Sequence, residues 1–390
     1  MEVLFICGIF MSFFISFLLL TKRNKGLSDK ILAAWVVVIG LHLLNYYLNQ
    51  IGYWVRYPHL VGIGAPLPLL HGPLLYLYTL YSLRADSTMR RVDFLHFLPA
   101  LLVYIYMSRF FFFYSVEEKA LVDNGQNNDF ALFTNIILIS FVISGLAYPM
   151  LAYRLTWRHK HKIDNNFSYD EGINLNWLRN CIYAIGIVYL LVAVILSMRN
   201  IFHFDFPFNA DYLFYSILIF FIFYLGYFGI RHQDMFSNHA TAIAVTQSST
   251  TQSQKYKSSG LNEPNLQRVH NQLLGFMQTH KPYLEPKLTL SELAAKLGLS
   301  THQLSQVINQ KEKINFHDFI NQYRIEEFIQ RAKTKKQFSL FAHALDAGFN
   351  SKSSFNSVFK KHKGTTPTQY LSHLEKRKNK NRHTTTTTTH

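Results

Sequence analysis

The chain has 390 residues, room for two or three domains, and is 49% hydrophobic and 16% aromatic. Its formal charge of +16 is uneven: residues 231–390 carry 23 Lys/Arg against 10 Asp/Glu, a surplus of 13. This excludes a uniformly soluble chain. It also excludes a disulfide scaffold, because the two cysteines, Cys7 and Cys181, lie in apolar stretches without disulfide or zinc spacing and read as structural.

Seven apolar stretches are long enough, or nearly so, to cross about 30 Å of hydrocarbon. They cover approximately 3–20, 31–51, 60–82, 94–113, 133–153, 178–198 and 212–230. No basic residue precedes the first and no small-residue cleavage site follows it, so it reads as a span, not a signal peptide. Alternate loops hold Lys22, Arg23, Lys25, Lys30, Arg84, Arg90, Arg91, Arg154, Arg158, Lys160, Lys162 and Arg179. The opposite loops hold only Arg56, Arg109, Lys119 and Arg199. The positive-inside rule places the first set in the cytoplasm, the N-terminus outside and everything after residue 230 inside.

The outward loops are too short to fold as a sensor domain, so an external signal would have to be read by the bundle. Pro66, Pro68 and Pro73 predict kinks or a break in the third span. His42, His71 and His96 lie within or at the ends of spans. They read either as a ligand or proton site or, more simply, as histidines hydrogen-bonded inside a bundle.

Residues 237–264 are rich in Ser, Thr and Gln and lack helical period, as expected of a tether with an end-to-end distance of roughly 30 Å. The tail 376–390, KRKNKNRHTTTTTTH, reads as disordered.

Between them the sequence repeats. LTLSELAAKLGLSTHQLSQVINQ (288–310) aligns with FSLFAHALDAGFNSKSSFNSVFKK (338–361), with Asn350 inserted in the second copy. Each copy predicts a helix, a Gly turn, an N-cap Ser and a second helix. Thr289 with Glu292 forms a capping-box pattern. The second helix of each copy has an apolar back and a polar front. That front is Thr301, His302, Ser305, Gln306 and Asn309 in the first copy, and Lys352, Ser353, Asn356, Ser357 and Lys360 in the second. One such face is also what a solvated helix shows. Two, in a basic block, suit the DNA major groove. INFHDFINQYRIEEFIQRAK (314–333) predicts a connecting helix capped by Asn315, able to hold the two reading helices near successive major-groove faces, about 34 Å apart.

On NFHDFINQYRIEE and ALDAGFNSKSSFNSVFKKHKGTTPTQY, residues 266–372 resemble the AraC-type DNA-binding domain, with two helix-turn-helix units joined by a helix. The resemblance implies base-edge contacts from His302, Ser305, Gln306, Lys352, Ser353, Asn356 and Ser357. It implies phosphate contacts from Ser300, Thr301, Ser351, Lys360 and Lys361. The family has an aliphatic residue where His343 stands. LLHGPLLYLY (69–78), HFLPAL (96–101) and YFGIRH (227–232) are similar to membrane-embedded members of the same bacterial regulator group.

The expected architecture is therefore all-α: a seven-helix transmembrane bundle (1–231), a cytoplasmic linker (232–264), a DNA-binding domain with two helix-turn-helix units (265–375) and a basic tail (376–390). The expected function is a one-component transcriptional regulator in the bacterial inner membrane. Its partners would be double-stranded DNA, the lipid bilayer and a small-molecule or membrane signal; a homodimer is compatible. The alternative is a membrane transporter or anchored protein whose tail is a regulatory or tethering module. No catalytic constellation, cofactor motif or metal-ligand pattern is present: there is no Walker loop, HExxH, histidine-kinase core or nucleophile elbow.

Overall fold

The computed structural model describes residues 2–231 and 261–374, apart from 24, 85–87, 125, 127–128, 170–175, 201–205, 207–209 and 335–336. The expected linker (232–264) and tail (376–390) therefore fall almost wholly outside the described residues. The architecture is all-α: among the described residues the one extended pairing is an isolated antiparallel bridge between Phe167 and Thr289. The chain divides into two compact units. One comprises the described residues of Met1–Trp157 and Leu175–Ala244; the other, those of Arg158–Asn174 and Val245–His390.

The first unit is built on α1 (Glu2–Thr21), α2 (Leu27–Gln50), α3 (Pro68–Ser82), α4 (Leu98–Phe113), the front of α5 (Ala131–Asn166), α6 (Asn176–Asn200) and α7 (Ala210–Arg231). Small residues let these helices approach closely, as in membrane bundles. A Cβ on Gly40 would come within 3.0 Å of Ser12 on α1, and one on Gly8 within 2.8 Å of Ile219 on α7. Ser16 Oγ donates to the Ala33 carbonyl at 3.2 Å, across the same α1–α2 seam.

Among the described residues, five helices are long and apolar enough to cross a membrane: Glu2–Thr21, Leu27–Gln50, Arg91–Phe113, Ala131–Asn166 and Trp177–Arg199. Asp211–Tyr227 is apolar but shorter. The third expected span departs further. Residues 61–67 form turns, after a short 3-10 helix at Pro58–Leu60, and α-helix begins only at Pro68, giving 15 residues to Ser82. The cause is local. Pro66 and Pro68 lack amide donors, Gly62 takes a φ of +80°, and Gly64 closes against Asn45.

The second unit holds α8 (Glu263–His280), α9 (Leu290–Lys296), α10 (Thr301–Val307), α11 (Phe316–Thr334), α12 (Leu340–Asp346) and α13 (Lys352–Lys363). It has two cores. Leu273, Leu293, Leu304 and Val307 pack with Phe316, Phe319 and Ile320 in the first. Ala344, Phe349, Phe355 and Phe359 pack with Ile325, Phe328 and Ile329 in the second. α11 thus supplies its first half to one core and its second half to the other. Its 19 residues make it about 28 Å long.

Candidate nucleic-acid interface

Both expected helix-turn-helix units form. In each, a glycine turns the chain in the left-handed region: Gly298 at φ +70° and Gly348 at φ +95°. Serines then start the reading helices: Ser300 Oγ accepts from Gln303 N and Ser351 Oγ from Ser354 N, each at 3.2 Å. The Thr289–Glu292 capping box is also present. Asn315 Oδ1 accepts from Asp318 N at 2.8 Å, starting α11 where the sequence placed its cap.

The two glycines differ in what surrounds them. A Cβ on Gly298 meets nothing within 4 Å, whereas one on Gly348 would collide with the Tyr283 carbonyl oxygen. Gly298→Ala is therefore expected to cost only its conformational strain, about 1 kcal/mol. Gly348→Ala should cost clearly more, because the obstruction is backbone. Paired thermal melts of the two variants check the difference.

The reading helices are not equivalent. On α13, Lys352, Ser353, Asn356, Ser357 and Lys360 are all exposed, opposite the buried Phe355, Val358 and Phe359. That is a continuous hydrogen-bonding front on a packed back. On α10, His302 is exposed, while Thr301, Ser305 and Gln306 are half-buried. Asn309 Nδ2 donates to Ser305 Oγ at 3.3 Å.

The structure gives Gln306 other work. Its Oε1 accepts from Leu261 N at 3.0 Å and its Nε2 donates to Leu261 O at 3.2 Å, tying α10 to the chain ahead of α8. Lys361, expected at phosphate, donates to both oxygens of Asp318 at 2.6 and 2.8 Å. His343 is buried at a core position, as its alignment with Leu293 implied, with its ring edge-on to Phe338 at 5.9 Å.

Asp318 is a clasp between α11 and α13. Its hydrogen bond with His317 and its pairing with Lys361 outweigh burial and hold its carboxyl well below the usual 3.8. A carboxylate depressed in the folded state stabilises fully above the unfolded value, and that contribution is lost as pH falls through the folded one. The unit should therefore lose stability progressively below about pH 4. Asp318→Asn should cost about 1 kcal/mol at neutral pH, since Lys361 is largely exposed, and should flatten that acid limb. Melting temperature against pH for both proteins is the check.

Sequence reasoning missed the residue that unites the two halves. Arg324, on α11, is 1% exposed. Its Nε donates to Tyr283 O at 2.8 Å. Its Nη2 donates to Glu285 O at 2.7 Å, Pro286 O at 3.2 Å and Ser168 Oγ at 3.0 Å. Its Nη1 donates to Ser168 O at 2.9 Å and Asn321 Oδ1 at 3.2 Å. Burial draws its pKa down to about 9, which leaves a full cation at neutral pH. Ser168 also donates from N to Leu288 O at 3.2 Å and from Oγ to the same carbonyl at 2.7 Å. A segment from between the fifth and sixth apolar helices is thus part of this unit. No local sequence signal announces it: an Arg on an amphipathic helix reads as surface, and Ser168 is 156 residues away.

Two turned helix pairs joined by a helix, each with a polar front on its second member, form two helix-turn-helix units. Residues 293–373 match the family model described as a helix-turn-helix domain. A stretch of 100 residues is 33% identical to an uncharacterized HTH-type transcriptional regulator of Staphylococcus aureus (strain COL), covering 26% of this chain and 13% of that protein. The chain thus spans a small part of that relative's length. No solved structure matches the chain.

Proposed function

We propose that the protein is a membrane-embedded, AraC-type transcriptional regulator, whose DNA-binding unit is governed by the helix bundle before it. The observation that carries DNA reading is the exposed front of α13, which sets on a rigid helix the residue types suited to base edges and phosphates. Base contacts are assigned to Lys352, Ser353, Asn356 and Ser357, with His302 and Ser305 from α10. Phosphate contacts are assigned to the helix starts at Ser300, Thr301 and Ser351 and to Lys360. Gln306 and Lys361 serve only by giving up the internal bonds just described.

Membrane embedding is supported by five helices of spanning length whose apolar side chains stay exposed within the bundle, such as Phe10 and Phe17 on α1 or Leu101, Ile105 and Phe112 on α4. Such a surface in water would drive aggregation. The location that fits is the bacterial inner membrane, with the N-terminus outside. In a Cys7→Ser background, a cysteine at Ser115 should react with an impermeant thiol reagent on intact cells, and one at Ser259 should not. Equal labelling contradicts this topology.

Regulation, over plain anchoring, is favoured by the residues that end and follow α5. α5 runs unbroken from Ala131 to Asn166, and the residues directly after it, Phe167 and Ser168, are built into the DNA-binding unit beside Arg324. The transporter reading lacks such support, since the centres of the expected spans carry no Asp, Glu, Lys or Arg. A map of chromosomal sites bound by the intact protein tests the proposal: discrete promoter sites are expected, and their absence contradicts it.

A further inference from the structure

The bundle holds a cavity of about 340 Å³ between α2, α5, α6 and α7, within the usual range for small-molecule sites, roughly 300–1,000 Å³. Behind its wall runs a chain of buried polar groups. Trp35 Nε1 lies 3.3 Å from His71 Nδ1, His71 Nε2 lies 3.0 Å from His42 Nδ1, and His42 Nε2 lies 3.1 Å from Tyr215 Oη. Of the three histidines noted in the sequence, two therefore converge; His96 pairs instead with Tyr148, at 3.0 Å.

The indole fixes the direction of this chain, because it can only donate. His71 accepts at Nδ1, so a neutral His71 carries its proton on Nε2 and donates to His42 Nδ1. His42 then carries its proton on Nε2 and donates to Tyr215 Oη. Both imidazoles are buried, at 4% and 5% exposure, where the neutral form is the less costly one. The relay ends on a phenol whose own proton is left for an acceptor in the cavity it lines.

Asn45 and Asn49 line the same space, half-buried, and their side chains have no hydrogen-bond partner among the described residues. Phe141 and Phe214 supply an apolar wall, and Arg199 and Asp211, both exposed, bring one charge of each sign. The lining is thus two carboxamides, one directed hydroxyl, an apolar floor and a balanced pair of charges.

We propose that this cavity binds a small zwitterion with an apolar body, of the size of an apolar or aromatic amino acid. Its carboxylate accepts from Tyr215 Oη, the side-chain amide of Asn49 and Arg199. Its ammonium faces Asp211, whose carboxylate can accept several bonds at once. Its apolar body lies against Phe141 and Phe214. As the signal site, the cavity rests on the regulator reading above: every polar group named here lies at the end of its helix nearest the loops assigned outside. As a binding site it stands on its own geometry.

The test uses the full-length protein in lipid nanodiscs, with thermal unfolding followed against L-phenylalanine, L-leucine, 3-phenylpropanoate and 2-phenylethylamine. A saturable rise in melting temperature is expected with the two zwitterions and little or none with the singly charged analogues. Tyr215→Phe and Asn49→Leu should each weaken zwitterion binding about tenfold, the worth of one hydrogen bond to a charged group. If Tyr215→Phe does not fold, Asn49→Leu decides. No shift with either zwitterion, equal shifts with the analogues, or unchanged affinity in the folded variants would overturn the proposal. DNA binding measured on the same preparation separates the two readings: absent zwitterion binding with intact DNA binding sinks this site alone.

Discussion

Arg324→Met is expected to be the most damaging single change in the DNA-binding unit, costing about 3 kcal/mol. The guanidinium serves carbonyls of Tyr283, Glu285, Pro286 and Ser168 at once. Its loss leaves the Tyr283 carbonyl without a donor, at roughly 1–3 kcal/mol where no water replaces it, and takes one bond each from the Glu285, Pro286 and Ser168 carbonyls, which keep Leu288 N, Asn350 Nδ2 and Asn321 Nδ2. Relief of a buried charge returns part of that cost. Lysine keeps the charge but not the planar fork, so Arg324→Lys should rescue little. Hydrogen exchange on the full-length protein is the right measurement, because a fragment starting after residue 260 lacks Ser168. Protection along α11 should fall in both variants. Retained protection in Arg324→Met would mean the cage is not structural.

The second large effect is expected at Asn356. Its carboxamide stands exposed on the front of α13, directly beside the buried Phe355. A bidentate amide pairs most naturally with adenine. Asn356→Ala should therefore cost about 1–3 kcal/mol on the specific site and relax preference at one base position. Fold should be untouched, since the side chain packs against nothing in the core. Lys360→Ala should instead weaken all duplexes alike and lower the salt slope by about one ion. Titrations on cognate and scrambled duplexes at several salt concentrations separate the two.

What could be read from the sequence follows from range. The repeat, the two Gly turns, the serine caps and the Asn315 cap are local, and each rests on a residue type whose chemistry has few other uses. The long apolar helices are equally local, since composition over some twenty residues decides them. The third span shows the limit: its composition is apolar through residues 60–82, but Pro66 and Pro68 delay the helix.

Long-range partners left no trace in the sequence. Gln306 and Lys361 sit at polar positions of reading helices, yet each is engaged by a residue at least 43 positions away. Arg324 and Ser168 are the extreme case. An arginine three residues after Asn321 on a helix with a polar face gives no hint of burial. Nor does a serine after a basic inter-span helix announce that it will complete a DNA-binding unit. His42 and His71 also meet only in space, 29 residues apart on two helices.

The most direct test of the central claim is selection of binding sites from a random duplex library by the purified full-length protein, beside Asn356→Ala. The account predicts that the enriched duplexes carry two short motifs about one helical turn apart, roughly 10 base pairs, one for each reading helix. It predicts that Asn356→Ala loses information at one position of one motif and leaves the other intact. No enrichment by the wild-type protein, or equal loss across both motifs in the variant, would contradict it.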